Sequence, residues 1–297
     1  MQMYTLRVSL APQDPELFKR ENKCKDVRSF ERALLHSATT PPQSTNVSSN
    51  DAKYSLKVLV NPDHNGVMGG MVSKAKKLHG HNAEFVEYDI DDFPPLVWFW
   101  DLSEQVILVE RKTSVFSSAM VAAKAFQKIT NNIELVEVGL RAEIEPILDD
   151  GVNEFWSEYD NFEFVERIEL ELIPPNLFGD TEKSMKKALN NVSEQTNANK
   201  MKTVLENTDG KLKLSSDSWV GNAVRWIKKG GGSWKMWGKR SAKSSSTNVT
   251  SNKSAKITVI EGELTEAQFI GYDSHDLAHL LSHLRPKYTY KDNNDED

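Results

Sequence analysis

Six basic residues, four glycines and three tryptophans fall in the stretch AVRWIKKGGGSWKMWGKR, Ala223 to Arg240, and no acid does. Cations in that density displace counterions from phosphates, an attraction that does not depend on base sequence. Aromatic rings add stacking on exposed bases, about 1–3 kcal/mol for each base stacked. Arg225, Lys228, Lys229, Lys235, Lys239 and Arg240 supply charge here, and Trp226, Trp234 and Trp237 interleave with it. Gly230-Gly231-Gly232 would let backbone amides approach a phosphate. The expectation is a flexible clamp on nucleic acid, in which Trp234 and Trp237 stack. Lys186, Lys187, Lys200, Lys202, Lys211 and Lys213 extend the same footprint. The plain alternative is that the tryptophans are core and the lysines a solvated face.

The rest of the chain has the opposite charge. Residues 183–256 carry 16 Lys or Arg against four acids, a balance of +12, while the 297-residue whole stands at −6. Such segregation implies a field that attracts polyanions at one end.

Two other groupings could do chemistry. Glu110-Arg111-Lys112 closes the apolar run VILVERK, which is half of a metal-nuclease pattern: carboxylates hold Mg²⁺ and a lysine orients water. With a hairpin turn centred on residue 103, Lys112 comes opposite Pro94 and Asp92 comes within reach. Asp92, Glu110 and Lys112 are therefore the alternative, enzymatic reading. A charged strand end explains the same residues without catalysis. His275, His279 and His283 recur every four residues, but a closed zinc site wants four ligands. The spacing turns Asp276 off that face, so the stripe reads as solvated, opposite Leu277, Leu280, Leu281 and Leu284. No metal or cofactor is expected. Cys24, the single cysteine, excludes an internal disulfide and fits a reducing compartment.

These residues need a scaffold. MYTLRVSLAP alternates as a strand, and a helix follows with Phe18, Val27, Phe30 and Leu34 on one face. Residues 37–52 read as a polar linker. NGVMGGMVSKAKKLHG reads as a glycine-rich entry into a helix, without the Gly-Lys-Ser/Thr ending of a phosphate loop. AEFVEYDI, LVWFW and QVILVERK read as strands, SSAMVAAKAFQKI as a helix capped by Ser117 or Ser118, and FEFVERIELELIPP as a long strand. A helix around TEKSMKKALNNV leads to a hairpin turning on Asp209-Gly210. SAKSSSTNVTSNKSAK reads as a second flexible linker before a last strand and helix. The expected fold is α+β, with mixed, mainly antiparallel sheets and flanking helices. The expected division is an acidic body over 1–175 and a basic half over 176–297, the latter holding the arm 219–256 and a strand and helix over 257–290. Neither a signal peptide nor a membrane helix is present in the sequence pattern, so the expected location is the cytoplasm.

PPLVWFWDLSEQVILVERKTSVF resembles a family of bacterial and prophage proteins that often travel with anti-phage genes, over about residues 50–175. IELELIPPNLFGDTEKSMKKALNNV followed by KMKTVLENTDGKLKL resembles the second half of the RexA family of phage exclusion proteins. That second resemblance implies a homodimer that binds double-stranded DNA without sequence preference. Residue by residue it reaches only Lys183, Lys186, Lys187 and the hairpin lysines. Together the readings point to sequence-independent DNA binding in anti-phage defence or phage exclusion, with a metal-dependent nuclease, or a subunit that binds a defence-system protein, as the alternatives.

Overall fold

The computed structural model describes residues 1–13, 26–39, 53–174, 183–196, 198, 200–251, 255–261 and 271–288. In chain order the first elements are β1 (Gln2–Pro12), α1 (Arg28–Thr39), β2 (Tyr54–Val60), β3 (Val67–Lys74), β4 (Lys76–His81) and β5 (Glu87–Asp92). Then come β6 (Leu96–Asp101), β7 (Val106–Glu110), α2 (Ala119–Thr130), α3 (Ile133–Glu137), β8 (Leu140–Pro146), α4 (Gly151–Asn161) and β9 (Phe164–Leu172). The last are α5 (Lys183–Thr196), β10 (Met201–Glu206), α6 (Trp219–Lys228), β11 (Gly232–Lys239), β12 (Thr247–Thr250), β13 (Ile257–Val259) and α7 (Ser274–Tyr288). The strands pair antiparallel and helices flank them, which is an α+β fold. Phe18, Cys24 and most of the 37–52 linker lie outside the described residues. No helix among the described residues is long and apolar enough to cross a membrane.

The larger sheet runs β13-β1-β7-β6-β3-β2, and β8 also pairs with β1. One edge of β1 takes β7; the other is divided between β13 at residues 2–4 and β8 at residues 6–12. Both faces of this sheet are covered, which is why LVWFW is an unbroken apolar run rather than an alternating one. Leu96, Trp98 and Trp100 pack with Phe30, Leu34 and Phe126 of α1 and α2. Val97 and Phe99 pack on the opposite side with Leu277, Leu281 and Leu284 of α7.

The smaller sheet runs β10-β9-β11-β12. Its inner face sets Val165, Ile168, Leu170, Trp234 and Met236 against Phe155 of α4, Met185 and Leu189 of α5, and Val224 and Ile227 of α6. Three expectations are corrected by this topology. The boundary at 175 does not separate the sheets, because β9, before it, is a central strand of the sheet made with β10, β11 and β12. Past it, β13 and α7 return to the larger sheet. The helix expected after the glycine pair is strand β3: a Cβ at Gly70 would overlap the Lys57 carbonyl of β2, so glycine there permits strand contact. Nor do two strands flank Asp209-Gly210. β10 pairs with β9, and Lys211 makes only a parallel bridge to Val165.

Helix α7 is latched through one buried carboxylate. Asp101 accepts from Arg285 Nε at 2.7 Å, Arg285 Nη2 at 3.1 Å and the Tyr288 hydroxyl at 2.7 Å. Burial pushes the Asp101 carboxyl up, but the hydrogen bonds from Arg285, Tyr288 and Ser103 outweigh it and hold the group below its usual range. A depressed carboxylate contributes stability that is present above its unfolded value and lost as pH falls through the folded one. Asp101→Ala strips Arg285 and Tyr288 of their shared acceptor and is expected to cost about 2–4 kcal/mol in urea unfolding. A loss within error of zero would show that the latch does not hold α7.

Candidate nucleic-acid interface

The tryptophan-glycine stretch is not an arm. Its first half is α6, capped by Ser218, whose side chain accepts from Val220 N at 3.2 Å. The glycines then stop the helix and turn the chain. Gly230, at φ +83, follows the helix end in the left-handed conformation, its N–H donating to Ile227 O. Gly231 passes against the Trp226 indole, where a Cβ would overlap the ring. Gly232, at φ +140, starts β11 so close to the Glu171 carbonyl of β9 that a side chain would collide with it. The triplet is required by a helix stop and a close pass, and the conformational freedom expected of it is absent.

The second half alternates as GSWKMWGK. Trp234, Met236 and Gly238 point inward, and Ser233, Lys235, Trp237 and Lys239 point outward. Trp234 is only 1% exposed and meets Phe155 edge-on at 5.2 Å, so it cannot stack on a base. Trp226 is buried too, donating through Nε1 to Ile173 O at 3.0 Å. Trp237 does lie on the outer face, half-buried, with the Arg167 guanidinium 5.3 Å from its ring centre. Residues 247–250 of the expected second linker are strand β12, paired with β11.

Several of the expected cations are engaged by the acids of β9 and its neighbours. Lys202 reaches Glu169 at 2.8 Å, Lys239 reaches Glu166 at 3.3 Å, and Arg240 reaches Glu158 of α4 at 3.2 Å. Arg167 on β9 also pairs with Glu169. The Glu169 carboxyl is held below its usual range, first by the Lys202 hydrogen bond. Lys235 is exposed and stands opposite Glu169 in the register. Lys211 and Lys213 are exposed. Lys183, Lys186 and Lys187 fall within α5, but their side chains lie outside the described set. Part of the charge segregated along the chain is thus paired across β9.

Lys200 does something different. It enters an acidic cluster at the junction of the two sheets, 2.8 Å from Glu171, 3.4 Å from Glu143 and 3.8 Å from Glu145. Glu143 and Glu145 come from β8 in the larger sheet and Glu171 from β9 in the smaller. The Glu145 carboxyl is pushed up to about 7, chiefly by burial, with Glu171 and Glu143 adding to the effect and Lys200 opposing it. Its Oε2 is buried without a hydrogen-bond partner among the described residues. Lys200 is therefore a structural cation and not a phosphate contact.

Helix α6 presents basic side chains at positions that are not buried. Its non-buried positions are Trp219, Asn222, Arg225 and Lys228, three residues apart, followed by Lys229 at the cap. At 3.6 residues per turn they spread over the solvent-facing half of the helix, Trp219 and Lys228 at its opposite edges, and the helix carries no acid. Trp219, 40% exposed, was not among the expected contacts. Its signal was legible: it is the one tryptophan out of phase with the helix's apolar face. Arg225 donates to Ser216 O at 3.3 Å and to Asn222, which orients its guanidinium outward along the stripe. Near the helix end, Lys256 has its ammonium pushed below its usual range, first by burial and then by the Lys228 charge, against the pull of Asp149. Helix α5 packs beside α6.

The nuclease geometry does not assemble. The hairpin register sets Asp101 opposite Val106, which places Glu110 opposite Val97 and shifts Lys112 by one residue from the expected partner. Glu110 Oε2 accepts from Val97 N at 3.2 Å, while Asp92 pairs with Lys76 in a separate ribbon. Among the described residues, the one group of three potential ligands with atoms within 4.8 Å is Asp273, His275 and Asp276, all exposed. Asp273 and Asp276 exchange backbone hydrogen bonds as the cap of α7, which accounts for their meeting. Asp276 also lines one shallow concavity with His279 and His283, rather than turning away from them. The chain matches no protein-family model and no curated protein.

Two outcomes follow for the interior. Trp234→Ala removes a fully buried ring and is expected to cost about 3–5 kcal/mol in thermal or urea unfolding. A variant as stable as the parent would return Trp234 to the surface. Glu145, with its raised value, keeps a proton in the folded state that the unfolded chain has already lost. Its contribution is present below the ordinary glutamate range and lost as pH rises through about 7. Glu145→Gln should therefore stabilise the protein by about 2–3 kcal/mol at pH 8 and by almost nothing at pH 4. An equal effect at both values would exclude titration of this group.

Proposed function

We propose that the protein binds nucleic acid, duplex DNA above all, without sequence preference, through the outward stripe of α6 and the lysines of α5. The observation that carries this reading is a rigid helix presenting Trp219, Arg225, Lys228 and Lys229 with no acid of its own. Cations on a packed helix contact phosphates without first paying to order a loop, so the loss of the flexible clamp strengthens the geometry of the remaining cations. Trp219 adds a ring at the other end of the stripe, about three helical turns from Lys229. The setting we propose is anti-phage defence or phage exclusion, on the resemblances carried by about residues 50–175 and by residues 168–214. Among the described residues, Asp92, Glu110 and Lys112 do not assemble into the geometry of the enzymatic alternative.

Gel-shift titrations at 50 and 200 mM salt test the interface. Lys228→Ala with Lys229→Ala should weaken binding alike on every sequence and lower the salt slope by about 2. Trp219→Ala should weaken single-strand binding by about 1–3 kcal/mol while leaving the melting temperature nearly unchanged. Lys202→Ala and Lys239→Ala, whose charges are met by β9, should bind as the parent does. Parent protein that fails to shift DNA at 50 mM salt, or α6 variants indistinguishable from it, would refute the proposal.

A further inference from the structure

Strands β4 and β5 belong to neither large sheet; they pair only with each other, joined by residues 82–86. Their register sorts the side chains by chemistry. Lys77, His79 and His81 share one face with Asp91, Asp89 and Glu87. That face is satisfied: Lys77 reaches Asp89 at 3.3 Å, and His79 reaches Asp89 at 2.6 Å and Glu87 at 3.8 Å. The other face carries Leu78 opposite Ile90 and Gly80 opposite Tyr88, with Lys76 opposite Asp92 at the base. The Tyr88 ring lies over Gly80, where a Cβ would press into it. All three large apolar side chains of this face are exposed.

The tip extends the apolar surface. Asn82 Oδ1 accepts from Glu84 N and Val86 N, each at 2.9 Å, and this turn holds Phe85 at φ +61. A bulky residue in the left-handed region is uncommon, and here the ring it displays is 88% exposed. Five of the ten exposed large hydrophobics among the described residues fall in this one ribbon: Leu78, Phe85, Val86, Tyr88 and Ile90.

A two-stranded ribbon is marginal in water by itself and needs a covering layer. We propose that the cover is a second copy of this chain, its ribbon packed face to face about a two-fold axis running along the strands. Area, charge and closure select that arrangement. The exposed apolar side chains amount to roughly 500 Å², near the top of what a monomer's largest patch carries. Two such faces reach the ~1,000 Å² that a specific interface needs. With the axis along the strands, β4 lies over β5 of the second copy. Leu78 then meets Ile90, and Lys76 meets Asp92, twice over by symmetry.

The alternatives are opposed by charge. Strand β4 carries Lys76, Lys77, His79 and His81, and β5 carries Glu87, Asp89, Asp91 and Asp92. Edge pairing of β4 with β4, or of β5 with β5, sets like charges side by side. Edge pairing of β4 with β5 leaves a free edge at each end and does not close. An anionic lipid surface would be repelled by the acids of β5. This inference stands independently of the nucleic-acid reading.

The test is the mass of the full chain by sedimentation equilibrium between about 1 and 100 µM, the range of a modest interface. The parent should move from monomer to dimer within it. Tyr88→Ser with Ile90→Ser should weaken the dimer at least tenfold with the melting temperature of the monomer unchanged. Phe85→Gly, which relieves the left-handed backbone and so cannot act by unfolding the tip, should weaken it as well. A parent that stays monomeric at the highest concentration, variants that dimerise as tightly as the parent, or a monomer that floats with neutral lipid vesicles through Phe85 would each overturn the proposal.

Discussion

The smaller sheet depends on β9 being acidic outside and apolar inside. Its inward residues, Val165, Ile168, Leu170 and Leu172, are buried under the helices. Its outward row offers Glu169 and Glu171 to lysines on either side, Lys202 of β10 and Lys235 of β11. Each exposed ion pair is worth about 0–1 kcal/mol, so the row adds little to total stability. Its effect is on register. A one-residue slip would turn the glutamates into the core and the leucines into water. Charge that looks segregated along the chain is the complementary halves of one sheet. A net balance counted over a sequence window therefore describes a field only when the pairing partner lies inside the window.

The same arrangement fixes α6. Its end is held from both sheets: Lys228 O accepts from Leu148 N at 3.0 Å, and Lys229 O accepts from Arg7 Nε of β1 at 3.2 Å. One turn further on, Ile173 N donates to Gly231 O at 2.9 Å. Trp226 fills the space between, its indole donating to Ile173 O. Glycine at 230–232 is thus a packing requirement of the junction. The stripe facing solvent is thus held by contacts to both sheets.

How much of this was legible in the sequence varies with the kind of residue. LVWFW and VILVE announced central strands because both of their faces are buried, and the Asp101–Gln105 turn followed from DLSE. Strand β9 was legible from the alternation of Ile168 to Leu172, and α5 from its helical spacing. Strand β3 was hidden because Gly69 and Gly70 suppress the period-two pattern, and their reason for being glycine sits on another strand. The position of Trp234 was legible but outweighed: alternation in GSWKMWGK separates it from Trp237, whereas the glycines before it suggested freedom. Only the close passes at Glu171 and Trp226 explain those glycines, and contacts so distant in sequence leave no local trace. Of the basic residues, spacing located all and distinguished none. Pairing with acids is a property of the folded register.

The junction of the two sheets is where the structure spends stability on something other than cohesion. Glu143, Glu145, Glu171 and Lys200 bring three carboxylates around one ammonium, with Gln127 of α2 donating to Glu143 Oε2 at 3.2 Å and Arg141 pairing with Glu143 from the same strand. Apolar residues of similar volume would hold two sheets together at least as well, because desolvating charges offsets most of their attraction. Apolar contacts, however, tolerate sliding. A lysine whose acceptors come from β8 and β9 at once has one position that satisfies it, and every displacement leaves a buried carboxylate worse paired. The cluster thus fixes the start of β10 against the larger sheet. From that point the chain runs through β10 and the turn at Gly210 to α6, so the placement of the exposed basic stripe traces back to a buried cation that does not itself face solvent.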